Sequence, residues 1–323
     1  MSKTTKARPK SHILIQEKKV LVLVGPTASG KTLMSEKIAD FLPIEIISAD
    51  SRQIYKHLDI GTAKPPKELL QKIKHHFVDE LEPNEGFNAA EFSKRGRKII
   101  EEIFSRKKIP LVLCGTGLYL RALLDGIFEG PSADYEIREK FFKRYQNEGG
   151  EKLLNELRAI DADAAKKMLP TNKLRIVRAL EVFELTGKPI SQLQQEETSA
   201  GNFLPIIFGL EWNRKILYDS INKRVEEMLS NDFLDEVEKI QAMGFSSKLN
   251  SLQTVGYKEA GAYLRNEISF ERMKELVKQN TRRYAKRQLT WFRSDSRIQW
   301  IYPRTTEDLS ALAKTIVEQF IRH

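Results

Sequence analysis

The sequence predicts an α/β fold: a parallel sheet flanked by helices, interrupted by a helical insertion. Three observations predict it. Residues 20–24 (VLVLV) form a continuous apolar, β-branched run of the kind buried on both faces of a parallel sheet. Strand-like and helix-like patterns then alternate, which implies crossover connections. From about Gly126 to residue 200 the strands stop and charged helical patterns take over.

The elements follow in order. The 20–24 run ends in Gly25-Pro26, and a helical pattern runs from Lys31 to Phe41. A second strand is expected at Ile44-Glu45-Ile46-Ile47, leading into Ser48-Ala49-Asp50. Over 88–104, Phe92, Ile99, Ile100 and Ile103 recur at helical spacing with Lys94, Arg95, Arg97 and Lys98 turned largely away, an amphipathic helix. Pro110 opens a third strand, Leu111–Cys114, which ends in Gly115-Thr116-Gly117. Helical patterns from Asp134 to Lys188 break at Gly149-Gly150 and at Leu169-Pro170-Thr171, and Gln192–Gly201 reads as a polar linker. Strand character returns at 205–210, long helices are expected at 214–243 and 269–294, and a short strand at 298–302 precedes a C-terminal helix. The expected division is therefore 1–125 as the first part of the core (1–17 a flexible tail), 126–200 as the insertion and 201–323 as completion of the core.

Composition narrows the function. The chain has 323 residues, 41% hydrophobic and 30% charged, which fits a folded protein with a substantial core. Lys and Arg number 54 against 44 Asp and Glu, a net charge of +10, so a polyanionic partner is expected. A single cysteine, Cys114, excludes an intrachain disulfide or a cysteine-based zinc site and points to a cytoplasmic setting. No apolar run reaches the length of a membrane span, and the basic, polar Met1–Lys10 lacks the apolar stretch of a secretory signal.

The sharpest local signal is Gly25-Pro26-Thr27-Ala28-Ser29-Gly30-Lys31-Thr32, which fits G-x-x-x-x-G-K-[ST] between a buried strand and a helix. Such a loop curls its N–H groups, and the helix N-terminus behind it, around an anion. Lys31 adds a mobile cation, and the Thr32 hydroxyl can ligate Mg²⁺. The sheet is thus P-loop NTPase-like. The motif selects phosphates, with a nucleoside triphosphate or another diphosphate meeting the same demand. Asp50, at a strand's C-terminal end, lies where ligand crevices form. It is a candidate for holding Mg²⁺ through water or for accepting a proton. The third strand ends without the acid that often marks an ATPase.

A polyanion-binding helix is expected at Thr281–Arg293, which holds five basic residues: Arg282, Arg283, Lys286, Arg287 and Arg293. Ala285, Leu289 and Phe292 form an apolar stripe, Arg282, Lys286 and Arg293 fall on another, and Tyr284 and Trp291 share a face as core or as a support for a base. Arg175 and Arg178 are three apart on one helix face. Gln253-Thr-Val-Gly-Tyr257-Lys258 sets a glycine turn beside an amide, a phenol and an amine.

Taken together these segments resemble the tRNA dimethylallyltransferase (isopentenyl-diphosphate:tRNA transferase) family. The resemblance rests on Gly25–Thr32, Asp50-Ser-Arg-Gln-Ile-Tyr55, Asp59-Ile-Gly-Thr-Ala-Lys-Pro65, His75-His76, Gly115-Thr-Gly-Leu-Tyr119, Arg178-Ala-Leu-Glu-Val182, Val255-Gly-Tyr-Lys258 and Lys286-Arg-Gln-Leu-Thr-Trp291, in order across most of the chain. It implies transfer of a dimethylallyl group from dimethylallyl diphosphate to the N6 amine of adenosine-37, beside the tRNA anticodon, with Mg²⁺ as cofactor and no obligate protein partner. It implies that Gly25 to Thr32 bind the diphosphate, that Arg121 and Arg224 add cations, and that Lys31, Thr32, Arg224 and the general base Asp50 are catalytic. It implies that Asp50, Ser51, Arg52, Gln53, Thr116, Leu174, Arg175, Arg178, Gln253, Gly256, Tyr257, Lys258, Lys286, Arg287, Gln288, Trp291 and Arg293 meet the tRNA. The 126–200 insertion, with Arg138, is expected to grip the anticodon stem.

Departures from the pattern are Ser220, where the family often has Arg, and Cys114, where Gly is common and packing is the expected consequence. The zinc-finger extension of some eukaryotic relatives is absent, and His75-His76 reads as structural rather than as a metal site. The rivals are a P-loop small-molecule kinase using ATP and a non-catalytic RNA-binding NTPase switch.

Overall fold

The computed structural model describes residues 18–323; the tail expected at 1–17 lies outside the described residues. In chain order the elements are β1 (Lys19–Val24), α1 (Lys31–Ala39), β2 (Ile44–Ala49), α2 (Lys67–Lys72), β3 (His75–His76), α3 (Ala89–Ser105), β4 (Ile109–Cys114) and α4 (Gly117–Asp125). Next come α5 (Tyr135–Glu148), α6 (Gly150–Ile160), α7 (Ala162–Ala165), α8 (Lys173–Thr186) and α9 (Ile190–Glu197). The chain continues with β5 (Leu204–Leu210), α10 (Arg214–Ser230), α11 (Phe233–Ala242), α12 (Tyr257–Leu264), α13 (Phe270–Phe292), β6 (Gln299–Ile301) and α14 (Asp308–Arg322). Two compact units divide the described residues: 18–124 with 202–323, and 125–201.

In the larger unit, six strands form one sheet in the order β3-β2-β4-β1-β5-β6, and every pairing is parallel. β1, β2 and β4 are buried at every position, which explains their unbroken apolar runs. Strand order reverses beside β1, and the crevice at such a reversal, outside the strands' C-terminal ends, is where open α/β sheets bind ligands. The core holds Leu21 and Leu23, Met34 and Ile38 of α1, and Ile316 and Phe320 of α14.

Four local outcomes differ from the sequence reading. β3 is a two-residue edge strand, too short to announce itself by alternation. β4 begins at Ile109, so Pro110 lies inside it. The β1 ladder starts only at Leu111, so Pro110 supplies no N–H on that side. The helix expected over 214–243 breaks at Asn231-Asp232, where Asp232 takes a left-handed φ of 58°. The expected linker 192–201 is helical as far as Glu197.

That last difference has a clear cause inside the smaller unit. Ile190 and Leu193 join its core with Phe141, Leu153, Leu157, Ile176 and Leu180. Asp161, buried at the start of α7, accepts from the Ser191 N–H (2.9 Å) and hydroxyl (2.6 Å), so a polar sequence is held as a helix by a partner thirty residues away. The same unit buries the Glu181 carboxylate completely. It accepts from Arg138 Nε at 2.9 Å, Arg178 Nη1 at 2.9 Å and the Asp134 N–H at 2.9 Å.

Candidate active site

β1 delivers the chain into the glycine-rich loop at the strand-order reversal. Ala28 and Gly30 both adopt left-handed φ, 61° and 81°, and these two turns curl the loop into a concave cradle before α1 begins. Two side chains brace the cradle: the Trp212 indole donates to the Ser29 carbonyl at 3.0 Å from behind the loop, and Arg224 Nη1, on the cavity wall, donates to Thr27 Oγ1 at 2.8 Å. Lys31 Nζ folds back onto the Gly25 and Pro26 carbonyls, 2.9 Å each. Burial pushes its amine down to about 8, partly countered by the Asp50 charge. The Ser29 hydroxyl is buried with no partner.

This loop forms one wall of a cavity of about 450 Å³. The other walls come from segments far apart in sequence: Asp50–Gln53 after β2, the 61–65 turn, Arg224 of α10, Gln253–Gly256, and Thr281, Tyr284, Arg287 and Gln288 of α13. Asp50 Oδ1 accepts from the Arg52 N–H at 2.8 Å. A Cβ on Gly115 would lie 3.5 Å from Asp50 Oδ2 and 3.3 Å from Gln288 Nε2, so the ends of β2 and β4 meet α13 at this glycine. Thr116 Oγ1 accepts from the Ser51 N–H at 3.3 Å. The Tyr284 phenol pairs with Thr116, and burial, together with the Asp50 charge, pushes it up. Cys114 is a packing residue: burial pushes its thiol up to about 12.

Several residues expected to face RNA make hydrogen bonds or packing contacts within the protein. Gln288 is buried; its Oε1 accepts from the Thr27 N–H at 2.9 Å and its Nε2 donates to the Gly115 carbonyl at 2.7 Å. Tyr257 is buried, and its hydroxyl donates to Glu236 at 2.5 Å. Glu236 also accepts from the Asp59, Ile60 and Gly61 N–H groups, which shapes the 59–61 turn. Gly61 is required there, because a Cβ would come within 2.4 Å of the Tyr257 ring. Gln53 accepts from the Ser48 hydroxyl and donates to the Thr62 and Ala63 carbonyls. Arg293 pairs with Glu211, and Trp291, half exposed, packs on Gly117.

Other expected residues are placed as follows. Arg52 lines the cavity and donates to the Asn250 carbonyl at 2.7 Å. Gln253 is exposed, donates to the Ser247 carbonyl and lines the same cavity, as do Ser51, Thr32 and Gly256, the last with φ 97°. Lys258, Lys286, Arg283 and Arg287 are exposed, with Arg287 also at the cavity wall. Arg121 sits on the exposed face of α4 and is not among the cavity-lining residues. In the smaller unit Leu174 is 73% exposed and Arg175 is exposed, whereas Arg138 and Arg178 are occupied by Glu181.

The adjacent histidines separate. His76 pairs with buried Glu45 at 2.9 Å. Burial works against that carboxylate's charge, but hydrogen bonds from Arg106, His76 and Lys108 hold it down to about 2. His75 lines the cavity; its Nδ1 donates to the Ile73 carbonyl at 2.7 Å, and its Nε2 is buried without a partner. Burial pushes the ring below its ordinary value, against that hydrogen bond. Sequence reasoning missed Trp212 and Glu236, because neither carries a local motif for its role, and it read His75 only as structural, without placing it at the cavity wall. Among the described residues no three His, Cys, Asp or Glu side chains group as a metal cage. A divalent cation would be held here by the Thr32 hydroxyl, bound phosphate oxygens and water, the manner in which Mg²⁺ sits at phosphate sites.

Comparison with known proteins agrees across nearly the whole chain. The family model for IPP transferase matches residues 53–295. The tRNA dimethylallyltransferase of Acetivibrio thermocellus is 46% identical over 286 residues, 87% of this chain and 91% of that one. That of Thermoanaerobacter sp. (strain X514) is 42% identical over 306 residues, 93% and 96% of the two chains. Among solved structures, the tRNA isopentenylpyrophosphate transferase of Bacillus halodurans matches with a TM-score of 0.69 at 34% identity, covering 94% of this chain and 97% of that one. A eukaryotic dimethylallyltransferase acting on tRNA matches with a TM-score of 0.78 at 27% identity, covering 94% and 79%. Among the described residues no helix is long and apolar enough to cross a membrane.

Proposed function

The chain belongs to the IPP transferase family, and we propose that it transfers a dimethylallyl group from dimethylallyl diphosphate to the N6 amine of adenosine-37 in tRNA, releasing diphosphate, in the cytoplasm. The observation that carries this reading is the single cavity in which the anion cradle, Asp50, and the cations Arg52 and Arg287 share walls. An ordinary phosphate-loop site has no need to open onto a basic helix.

The chemistry follows from the walls. As the allylic C–O bond breaks, negative charge gathers on the diphosphate, where the loop N–H groups, the Ser29 hydroxyl, Lys31 and Arg224 stabilise it. When bound through Thr32, Mg²⁺ supplies further charge neutralisation to the leaving group. The N6 lone pair forms the new bond to the allylic carbon, and the nitrogen's proton passes to the Asp50 carboxylate. Thr116 and Tyr284 flank that point, positioned to hold the base. An adenine stacked in an anticodon loop must leave its stack to reach this depth. Arg52, Gln253, Lys258, Lys286 and Arg287 line its approach. The 125–201 unit, through Leu174 and Arg175, holds the stem, while Arg138 and Arg178 chiefly hold Glu181.

The test supplies unmodified tRNA with dimethylallyl diphosphate, and separately with ATP alone, and looks for a lipophilic adenosine. Transfer is expected only with the prenyl donor; turnover of ATP alone, with no modified base, overturns the assignment. Asp50→Ala is expected to keep pyrophosphate binding near normal and to lower transfer by about 10²–10⁴-fold. Retained transfer removes Asp50 as the base.

A further inference from the structure

Beside its charged groups the cavity has an apolar wall. Val225 and Met228 of α10 and Val277 of α13 line it, and all three are buried. None of them belongs to the cluster packed on the sheet. The two helices run antiparallel: Arg282 donates to Asn222 at 2.6 Å, and one turn along, Lys278 pairs with Glu226. Lys274 pairs with the same carboxylate at 2.8 Å. Val225 and Met228 therefore stand at the level of Val277. None of the five polar residues in these pairs lines the cavity, so at this level the two helices present only apolar side chains to it.

The wall begins next to the anion cradle. Arg224, which precedes Val225, reaches Thr27 at 2.8 Å, so the head of a donor held in the cradle lies beside the first turn of the wall. Met228 follows four residues later, about 6 Å along the helix. It closes the far end: its Cε lies 4.0 Å from the point where a Cβ on Gly256 would stand, and the fully buried Phe233 ring lies 3.4 Å from that point. Phe233 rests edge-on against Tyr257, with ring centroids 5.2 Å apart, so the backing is rigid aromatic packing. Two apolar residues on the sheet, Ile46 and Leu113, also line the cavity, but Ser48, Gln53 and His75 line it beside them. An alkyl chain there would strip polar groups of water without pairing them, a cost the wall of α10 and α13 does not impose.

Resting on the prenyl-donor reading above, we propose that Val225, Met228 and Val277 form the subsite for the donor's alkyl tail, and that Met228 is the specificity-determining residue that limits the tail to five carbons. A dimethylallyl tail reaches about 4 Å beyond its first carbon and a geranyl tail about 9 Å, at about 1.5 Å per bond in zigzag. The shorter tail ends within the wall, and the longer one runs into the Met228 side chain and the Phe233 ring behind it.

The experiment compares kcat/KM for dimethylallyl and geranyl diphosphates, with unmodified tRNA as acceptor, in the full chain and in Met228→Ala and Val277→Ala. The wild type is expected to strongly prefer the shorter donor. Met228→Ala should raise the ratio of geranyl to dimethylallyl transfer at least about tenfold, with a smaller rise in Val277→Ala, which opens the same wall from the facing helix. Inorganic pyrophosphate has no tail, so its affinity, measured by calorimetry, should be alike in all three proteins and reports an intact cradle. A ratio unchanged in variants that still bind pyrophosphate overturns the proposal and puts the tail on the sheet side. So does a wild type that uses both donors equally, or loss of pyrophosphate binding in both variants, which would make the wall a support of the cradle. A wild type that binds pyrophosphate but transfers neither tail removes the prenyl-donor reading itself, and the tail subsite with it.

Discussion

Replacing Gln288 with leucine tests whether α13 serves the anion cradle or only the RNA. The side chain is buried and makes two hydrogen bonds, accepting from Thr27 N–H at 2.9 Å and donating to the Gly115 carbonyl at 2.7 Å. Leucine fills a similar volume but leaves both backbone groups unpaired. Each costs about 1–3 kcal/mol when buried. Thr27 borders the cavity and can recover a water, so the sum falls at about 2–4 kcal/mol. Urea unfolding should show this as a lower midpoint. The same change frees the loop at Thr27, so pyrophosphate should bind about tenfold more weakly, equivalent to about 1.4 kcal/mol. Affinity for an isolated anticodon stem-loop should stay within about twofold. If stability and pyrophosphate affinity are unchanged while the stem-loop affinity collapses, Gln288 faces RNA and the brace described here is wrong.

Other expectations are simpler. Lys31, with its amine pushed down to about 8 by burial, is charged below that value and neutral above it, so pyrophosphate affinity should fall as pH rises through about 8. A titration flat across that value refutes the assignment. Arg287→Ala should flatten the salt dependence of stem-loop binding by about one unit of slope. Arg293→Ala, whose guanidinium is already paired with Glu211, should leave that slope unchanged. Glu181→Gln leaves Arg138 and Arg178 without their buried counter-charge and should destabilise the 125–201 unit by about 3 kcal/mol, read as faster amide exchange in α5 and α8. Unchanged exchange there would mean that the two arginines do not depend on Glu181.

The parts of this protein that sequence alone determined are those whose physics is local. The buried parallel strand, the phosphate loop and the start of α1 occupy adjacent residues, so composition and spacing carry them completely. The apolar stripe of α13 was legible for the same reason: Ala285 and Phe292 lie in the core as their helical spacing requires. Tertiary structure decided which polar side chains are available. Gln288 looked like one more polar residue on a basic helix, yet its partner Thr27 lies 261 positions away. Tyr257 is held by Glu236, Arg293 by Glu211, and the neighbours His75 and His76 part company because alternate residues of a strand face opposite sides of the sheet. A hydrogen bond reaches about 3 Å, so its partner is chosen by which segments the fold brings within that distance, and sequence spacing carries no record of it.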